Sequence, residues 1–116
     1  MQREPAAFLW DVRDSALAIG RFTAGMDATG YAASEMAQSA VERKFEVIGE
    51  ALNQLSKLDP GLAAHIPDLP HIVAFRNQLI HGYARVEAST VWNVVQDSLP
   101  KLLDAVQSLL GELGKS

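Results

Sequence analysis

Apolar residues recur at intervals of three and four along most of this chain, which is the spacing of one face of an α-helix. A first segment covers about residues 6–26, and charged residues stand between its apolar positions. Its apolar stripe comprises Phe8, Val12, Ala16, Ile19 and Phe22. In a second segment, over about residues 32–58, a stripe widened by Phe45 comprises Ala37, Val41, Ile48, Leu52 and Leu55. The pattern predicts one amphipathic helix over each segment.

Proline and glycine residues predict where the second helix ends and a third begins. Asp59-Pro60-Gly61 should end the second helix, because proline cannot continue the hydrogen-bond ladder and glycine terminates helices readily. Pro70 suits the first turn of a third helix over about residues 71–81, with Asp68 or Leu69 near its cap. Gly82 follows at a favourable position for the end of that helix.

A fourth helix is predicted over about residues 87–113. Its apolar stripe comprises Val91, Val95, Leu99, Leu102, Val106, Leu109 and Leu113. Pro100 falls inside this stripe and predicts a kink or a restart of the helix. Since no segment alternates apolar and polar residues with a period of two, strands are not expected. We therefore expect an all-α, up-and-down four-helix bundle that forms a single domain across residues 1–116.

Composition narrows the classes of protein and of site. The chain has 116 residues, of which 48% are hydrophobic and 21% charged, as in globular domains. It contains no cysteine, which excludes disulfide bonds, thiolate metal sites and cysteine nucleophiles. A net charge of −4 argues against a protein that coats DNA through bulk positive charge. We expect a cytoplasmic protein, because neither a signal peptide nor a long apolar run is recognisable.

Candidate chemistry is concentrated at the end of the third predicted helix. The three histidines of the chain lack metal-ligand spacing, and no phosphate-binding glycine loop is present, so neither a metal nor a cofactor is expected. Arg76, Asn77, His81 and Tyr83, by contrast, fall within eight residues. Asn77 and His81 share one face of the helix, whereas Arg76 lies roughly 140° around it from His81.

The spacing of these four residues alone leaves two interpretations open. A histidine in a last helical turn interacts favourably with the helix dipole, an arginine five residues earlier often forms an ion pair, and Tyr83 could simply pack on the end of the bundle. Alternatively, a two-fold dimer could bring two copies of the segment together across an interface and form a cleft.

Three segments resemble the HepT-like branch of the HEPN superfamily, small toxins encoded beside MntA-type minimal nucleotidyltransferases. They are AVERKFEVIGEA at residues 40–51, RNQLIHGY at residues 76–83 and VW at residues 91–92, and the resemblance extends over about residues 7–110. It implies a dimeric four-helix bundle and a metal-independent endoribonuclease without cofactors. Phe75 stands where methionine is usual in the family, which conserves side-chain volume.

The resemblance also implies a role for each residue of the motif. Arg76 and His81 correspond to the catalytic arginine and histidine of a cleft at the dimer interface, and Asn77 to a supporting polar residue. Tyr83 corresponds to the tyrosine that the partner nucleotidyltransferase adenylylates to silence the toxin. These types of residue fit RNA cleavage, since imidazole exchanges protons near neutral pH and guanidinium is a permanent cation for a developing phosphorane.

Other residues and other functions remain to be weighed beside this interpretation. Gly49 in the second helix predicts a close helix contact, and Glu50 could reach the helix of Arg76. Trp92 is expected to be a core or interface anchor. The expected partners are RNA, the nucleotidyltransferase and a second copy of the chain, but neither DNA nor a membrane. The alternatives are a non-catalytic helical module that serves as partner or substrate of the nucleotidyltransferase, which the net negative charge favours, and a purely structural dimer.

Overall fold

A computed structural model describes residues 3–81 and 86–115, and all regular structure in these two ranges is helical. This finding confirms the all-α prediction. The elements in chain order are α1 (Pro5–Phe22), α2 (Ala28–Ala32), α3 (Glu35–Leu58), α4 (Pro60–Ala63), α5 (Leu69–His81), α6 (Ala88–Asn93), a π-helical turn (Val94–Ser98) and α7 (Leu99–Glu112).

The long helix α3 is central to the packing. It lies against α1 on one side and against α5 on another, while α7 packs against α1. The apolar faces of these helices meet in a continuous core whose largest fully buried side chains are Tyr31, Phe45, Leu9, Ile19, Ile48, Leu52, Leu55, Leu102 and Leu110. Burial of such faces is the main stabilising term for helices of this length. No helix within the described residues is long and apolar enough to cross a membrane.

The buried face of α1 differs from the predicted stripe. Leu9, Val12 and Ile19 are fully buried, whereas Phe8 is only partly buried and the side chain of Phe22 is 37% exposed. Phe22 therefore does not belong to the buried face, although it lies in the predicted apolar stripe. Leu9 repeats with the same helical spacing as Phe8, so the period alone could not decide which of the two residues faces the core.

Two side-chain caps set the boundaries between α1 and α3. The Asp27 carboxylate accepts the backbone N–H of Gly30 at 2.7 Å, which starts the short helix α2. The Ser34 hydroxyl accepts the backbone N–H of Ala37 at 3.1 Å, so α3 begins at residue 35. The second long helix is thus shorter at its start than the predicted 32–58. Between the caps, the buried ring of Tyr31 packs on Trp92 at a centroid distance of 5.4 Å. Trp92 therefore packs against the core, as one of its two predicted roles requires.

The start of α5 follows the prediction. Asp68, in a left-handed conformation with φ 59°, precedes the helix, and its carbonyl accepts the backbone N–H of Ile72 at 3.0 Å. Pro70 occupies the first turn, where backbone N–H groups have no partner within the helix, so the missing N–H of proline costs no hydrogen bond. Gly82, the residue predicted to end this helix, lies outside the described residues.

The predicted irregularity at Pro100 takes the form of a π-helical turn. The Leu99 N–H bonds to the carbonyl of Val94, five residues earlier, and the α-helical pattern restarts at Leu99 with Pro100 in the first turn. Placing proline there avoids the lost hydrogen bond and the clash that it causes in a helix interior. The stripe of the fourth predicted helix is buried up to Leu109, but Leu113 is 44% exposed.

Candidate active site at the contact of α3 and α5

Helix α5 carries three of the four candidate residues, and aromatic packing sets its position on α3. The buried Phe75 meets the buried Phe45 of α3 edge to face, with ring centroids 5.2 Å apart and planes at 89°. Such pairs have a preferred geometry, so they specify how two helices align as well as burying area. Arg76 is the next residue along α5 and is thereby brought into the same helix contact.

The close helix contact predicted at Gly49 is confirmed, and its partner is Arg76. Gly49 is buried in the middle of α3, and a Cβ added there would overlap the Cβ and Cγ of Arg76 and lie 3.0 Å from its Nε. The Arg76 side chain is consequently only 11% exposed. Glycine at this position allows the aliphatic part of an arginine to lie directly against the α3 backbone.

The guanidinium of Arg76 has an acidic partner on the next residue of α3. Its Nη2 lies 3.3 Å from Oε2 of Glu50, which confirms that Glu50 reaches the helix of Arg76. The other carboxylate oxygen of Glu50 accepts a hydrogen bond from Nε2 of Gln54 at 3.0 Å. Sequence reasoning did not single out Gln54, and its spacing of four residues from Glu50 on an exposed helix face was the available signal.

One donor of Arg76 is left without an acceptor. Its Nε is buried and makes no hydrogen bond to the described residues. Buried N–H groups in native proteins are nearly always paired, because an unpaired one loses its hydration without compensation. An exception of this kind is explained by a strained site, a functional role or a bound water or ion that supplies the acceptor.

Asn77 and His81 lie further along α5, on a different side from Arg76. Asn77 is partly buried, and His81 is exposed in the last turn of the helix. Five residues of α-helix separate Arg76 from His81, which corresponds to a rise of about 7.5 Å and a rotation of about 140°. The structure thus places Arg76 in the contact with α3 and His81 at the exposed end of α5. Tyr83, the fourth candidate, lies outside the described residues.

A groove between α1 and α3 adjoins the contact of Glu50 with Arg76 and Gln54. It has a volume of about 200 Å³, and Glu50 and Gln54 form part of its wall. Its charged side chains are of both signs and include the pair Arg3–Asp11 at 2.7 Å and the weaker pair Arg43–Glu46 at 3.8 Å. The groove therefore carries charges of both signs and is not uniformly basic. Within residues 3–81 and 86–115, no group of three or more histidine or acidic side chains is arranged to hold a metal ion.

Comparison with known proteins identifies the family. The family described as "Ribonuclease HepT-like" matches residues 12–109 of the chain. The chain belongs to the HepT-like ribonuclease family. This membership confirms the resemblance found in the sequence.

Relatives of similar length carry ribonuclease names. Two proteins of Methanocaldococcus jannaschii, each named "Putative RNase", are 31% and 30% identical to the chain. The first alignment covers 91% of this chain and 96% of the relative, and the second covers 97% and 96%. A Thermococcus cleftensis protein named "Probable ribonuclease HepT" is 28% identical over 94% of this chain and 98% of its own length. No solved structure matches the chain.

Proposed function

We propose that this HepT-like protein is a metal-independent endoribonuclease that cleaves RNA in the cytoplasm with Arg76 and His81. The observation that carries the proposal is the position of Arg76 in a chain of a ribonuclease family: its side chain lies in the contact of α3 and α5, with Nη2 of the guanidinium 3.3 Å from Glu50. A guanidinium is a permanent cation whose planar set of donors matches the oxygens of a phosphodiester.

The reaction uses the nucleophile that RNA itself contains. The 2′-oxygen attacks the adjacent phosphorus, the bond from phosphorus to the 5′-oxygen breaks, and the products are a 2′,3′-cyclic phosphate and a 5′-hydroxyl. One neutral imidazole takes the proton of the 2′-hydroxyl, and one imidazolium protonates the departing 5′-oxygen. Arg76 stabilises the negative charge on the phosphorane oxygens, and Asn77, one turn before His81, orients the imidazole.

A homodimer of single domains completes the proposed site. Within one chain, Arg76 faces α3 whereas His81 is exposed at the end of α5. A two-fold axis near the end of α5 would bring two copies of His81 together, so that one serves as the base and the other as the acid. The proposal therefore assigns the cleft to the dimer.

The same proposal makes the protein the toxin of a two-gene system. An MntA-type nucleotidyltransferase would silence it by joining the Tyr83 oxygen to the α-phosphorus of ATP, with pyrophosphate as the leaving group. Tyr83 follows His81 by two residues, so an adenylyl group there would add bulk and negative phosphate beside the imidazole. RNA would then meet steric exclusion and charge repulsion.

A non-catalytic binding module is the second candidate, and two observations favour it. The net charge is −4, and the Arg76 cation already has an acidic partner in Glu50. In this alternative the chain would serve as a partner and substrate of the nucleotidyltransferase without cleaving RNA. The two candidates differ in whether the chain cleaves RNA and inhibits growth by means of Arg76 and His81.

Growth inhibition by the expressed chain tests the proposal. Arg76→Ala and His81→Ala should both abolish inhibition, because each removes a group that acts on the reacting phosphate. His71→Ala is the matched control, since His71 is an exposed histidine in the first turns of the same helix. Circular dichroism should show that all variants remain helical. If the Arg76 and His81 variants inhibit growth as strongly as the wild type, the nuclease proposal is wrong.

A further inference from the structure

We propose that Glu50 is a positioning residue for Arg76, which holds the guanidinium in the orientation needed to bind the scissile phosphate. This inference rests on the proposed ribonuclease function. The Glu50 carboxylate acts through Arg76 and does not itself exchange a proton with RNA.

The hydrogen bond from Gln54 gives the Glu50 carboxylate a defined orientation. Oε1 of Glu50 accepts from Nε2 of Gln54 at 3.0 Å, while Oε2 lies 3.3 Å from Nη2 of Arg76. Glu50 and Gln54 stand four residues apart on α3, so one helix face presents both side chains. A carboxylate fixed through one oxygen offers its second oxygen to Arg76 in a restricted direction.

Gly49 fixes the other end of the Arg76 side chain. Its missing Cβ lets the Cβ and Cγ of Arg76 lie against the α3 backbone, and Glu50, the next residue, meets the tip of the same side chain. Adjacent residues of α3 therefore constrain Arg76 at its base and at its guanidinium. A flexible arginine side chain has many rotamers, and fixing it in advance reduces the entropy lost when it binds an anion.

The pairing of Arg76 with Glu50 is poorly suited to a purely stabilising role. The Glu50 side chain is 57% exposed, and an ion pair with an exposed partner adds little to folding stability. The buried Nε of Arg76 also has no acceptor among residues 3–81 and 86–115, which a salt bridge optimised for stability would avoid. The contact with Glu50 uses Nη2, and an arginine side chain has further N–H donors that can bind phosphate oxygens.

A positioning carboxylate has a kinetic signature that a binding residue lacks. The negative charge of Glu50 repels the phosphates of RNA, so its removal should not weaken substrate binding. Loss of the fixed guanidinium should instead lower the rate of the chemical step, because a misplaced catalytic group acts poorly on the transition state. The inference therefore predicts a lower kcat at an equal or lower KM for RNA.

The test compares Glu50→Gln with Glu46→Gln in the purified full-length protein. Glu46 is the matched control, because it lies one turn earlier on α3 and loses the same charge, but its partner is Arg43. Cleavage sites are mapped first in total cellular RNA, and kcat and KM are then measured on a labelled oligonucleotide that spans a mapped site. Glu50→Gln should lower kcat about 10- to 100-fold at an equal or lower KM. Glu46→Gln should leave kcat unchanged.

A second variant tests whether Glu50 acts together with its anchor. Gln54→Ala frees the carboxylate and should lower kcat in the same direction by a smaller factor. The double variant Glu50→Gln/Gln54→Ala should be no slower than Glu50→Gln alone, because each change disrupts the same contact between the fixed Glu50 carboxylate and Arg76. Multiplicative losses in the double variant, or a Glu50→Gln effect on melting temperature with no change in the kcat of folded protein, would overturn the inference.

The outcomes also separate this inference from the proposed function. If the wild type cleaves RNA, Arg76→Ala does not, and Glu50→Gln matches the wild type, then Glu50 has no positioning role and the nuclease stands. If Arg76→Ala cleaves as fast as the wild type, the proposed function itself fails, and the inference fails with it.

Discussion

Replacing Gly49 by alanine perturbs the contact on which the proposed site depends. The added methyl group would overlap the Cβ and Cγ of Arg76, both close to the α5 backbone, so a rotation at the end of the side chain cannot relieve the overlap. Either α3 and α5 must move apart or Arg76 must leave its position. We therefore expect Gly49→Ala to lower both the stability and the activity of the protein.

The magnitude follows from two opposing effects. Alanine in a helix interior is favoured over glycine by about 1 kcal/mol, which would stabilise α3. Inserting a methyl group into a closely packed contact costs about 1–3 kcal/mol, and the upper part of that range applies because two carbon atoms collide. The net expectation is a loss of about 1–2 kcal/mol in the free energy of unfolding.

Gly20→Ala provides the matched control. Gly20 lies in α1, and a Cβ added there would meet no atom within 4 Å. Only the helix-propensity gain applies, so this variant should be about 0.5–1 kcal/mol more stable than the wild type. Denaturant unfolding of all three proteins at one protein concentration measures the differences, with equal m-values as the check on two-state behaviour.

The comparison of the two alanine variants can refute the reasoning. The expected difference in unfolding free energy between Gly20→Ala and Gly49→Ala is about 1.5–3 kcal/mol. If Gly49→Ala is as stable as Gly20→Ala, then α3 and α5 do not meet at the described distance. The argument that Arg76 is fixed against the α3 backbone would then be wrong.

Two further predictions concern tyrosines. Tyr83→Phe should preserve RNA cleavage but resist silencing by the nucleotidyltransferase. The intact mass of this variant after co-expression should show no adenylyl increment. Efficient silencing of the variant would rule out Tyr83 as the modification site. Burial, with a smaller contribution from the negative charge of Glu42, raises the pKa of Tyr31 from 10.0 to about 12. Because the folded state keeps this proton longer than the unfolded state, wild-type stability should fall as the pH rises from 10 towards 12. Tyr31→Phe should lack that part of the loss in denaturation measured from pH 8 to pH 11.5, and identical pH profiles would contradict the assignment.

The helical architecture could be predicted because the apolar period is strong and proline and glycine residues mark the breaks. Which residues of the first helix face the core could not be predicted, since Phe8 and Leu9 both recur with helical spacing. The cap at Ser34 was missed, because residues 32–34 were assigned to the start of the second helix. The π-helical turn before Pro100 is one of several ways to accommodate a proline, so the sequence predicts an irregularity there but not its form.

The residues of the candidate site that are close in sequence could be predicted, but the contact between α3 and α5 could not. The motif from Arg76 to Tyr83 is local, and the unusual glycine at position 49 indicated a close helix contact. Which residue fills that contact depends on the alignment of α3 with α5, and the Phe45–Phe75 ring pair helps to set it. Periodicity carries no information on the alignment of two helices that are distant in sequence. That Nε of Arg76 has no acceptor in the described part of the chain likewise became apparent only when both helices were in place.

The measurement that tests the central claim most directly is RNA cleavage by the purified protein in excess EDTA, with analysis of the product ends. Our account predicts cleavage that leaves 2′,3′-cyclic phosphates and 5′-hydroxyls, and loses activity with either Arg76→Ala or His81→Ala. Activity that disappears with EDTA and returns with a divalent cation would contradict the metal-independent mechanism. Cleavage that persists in both variants would contradict the assignment of the site to the α5 motif.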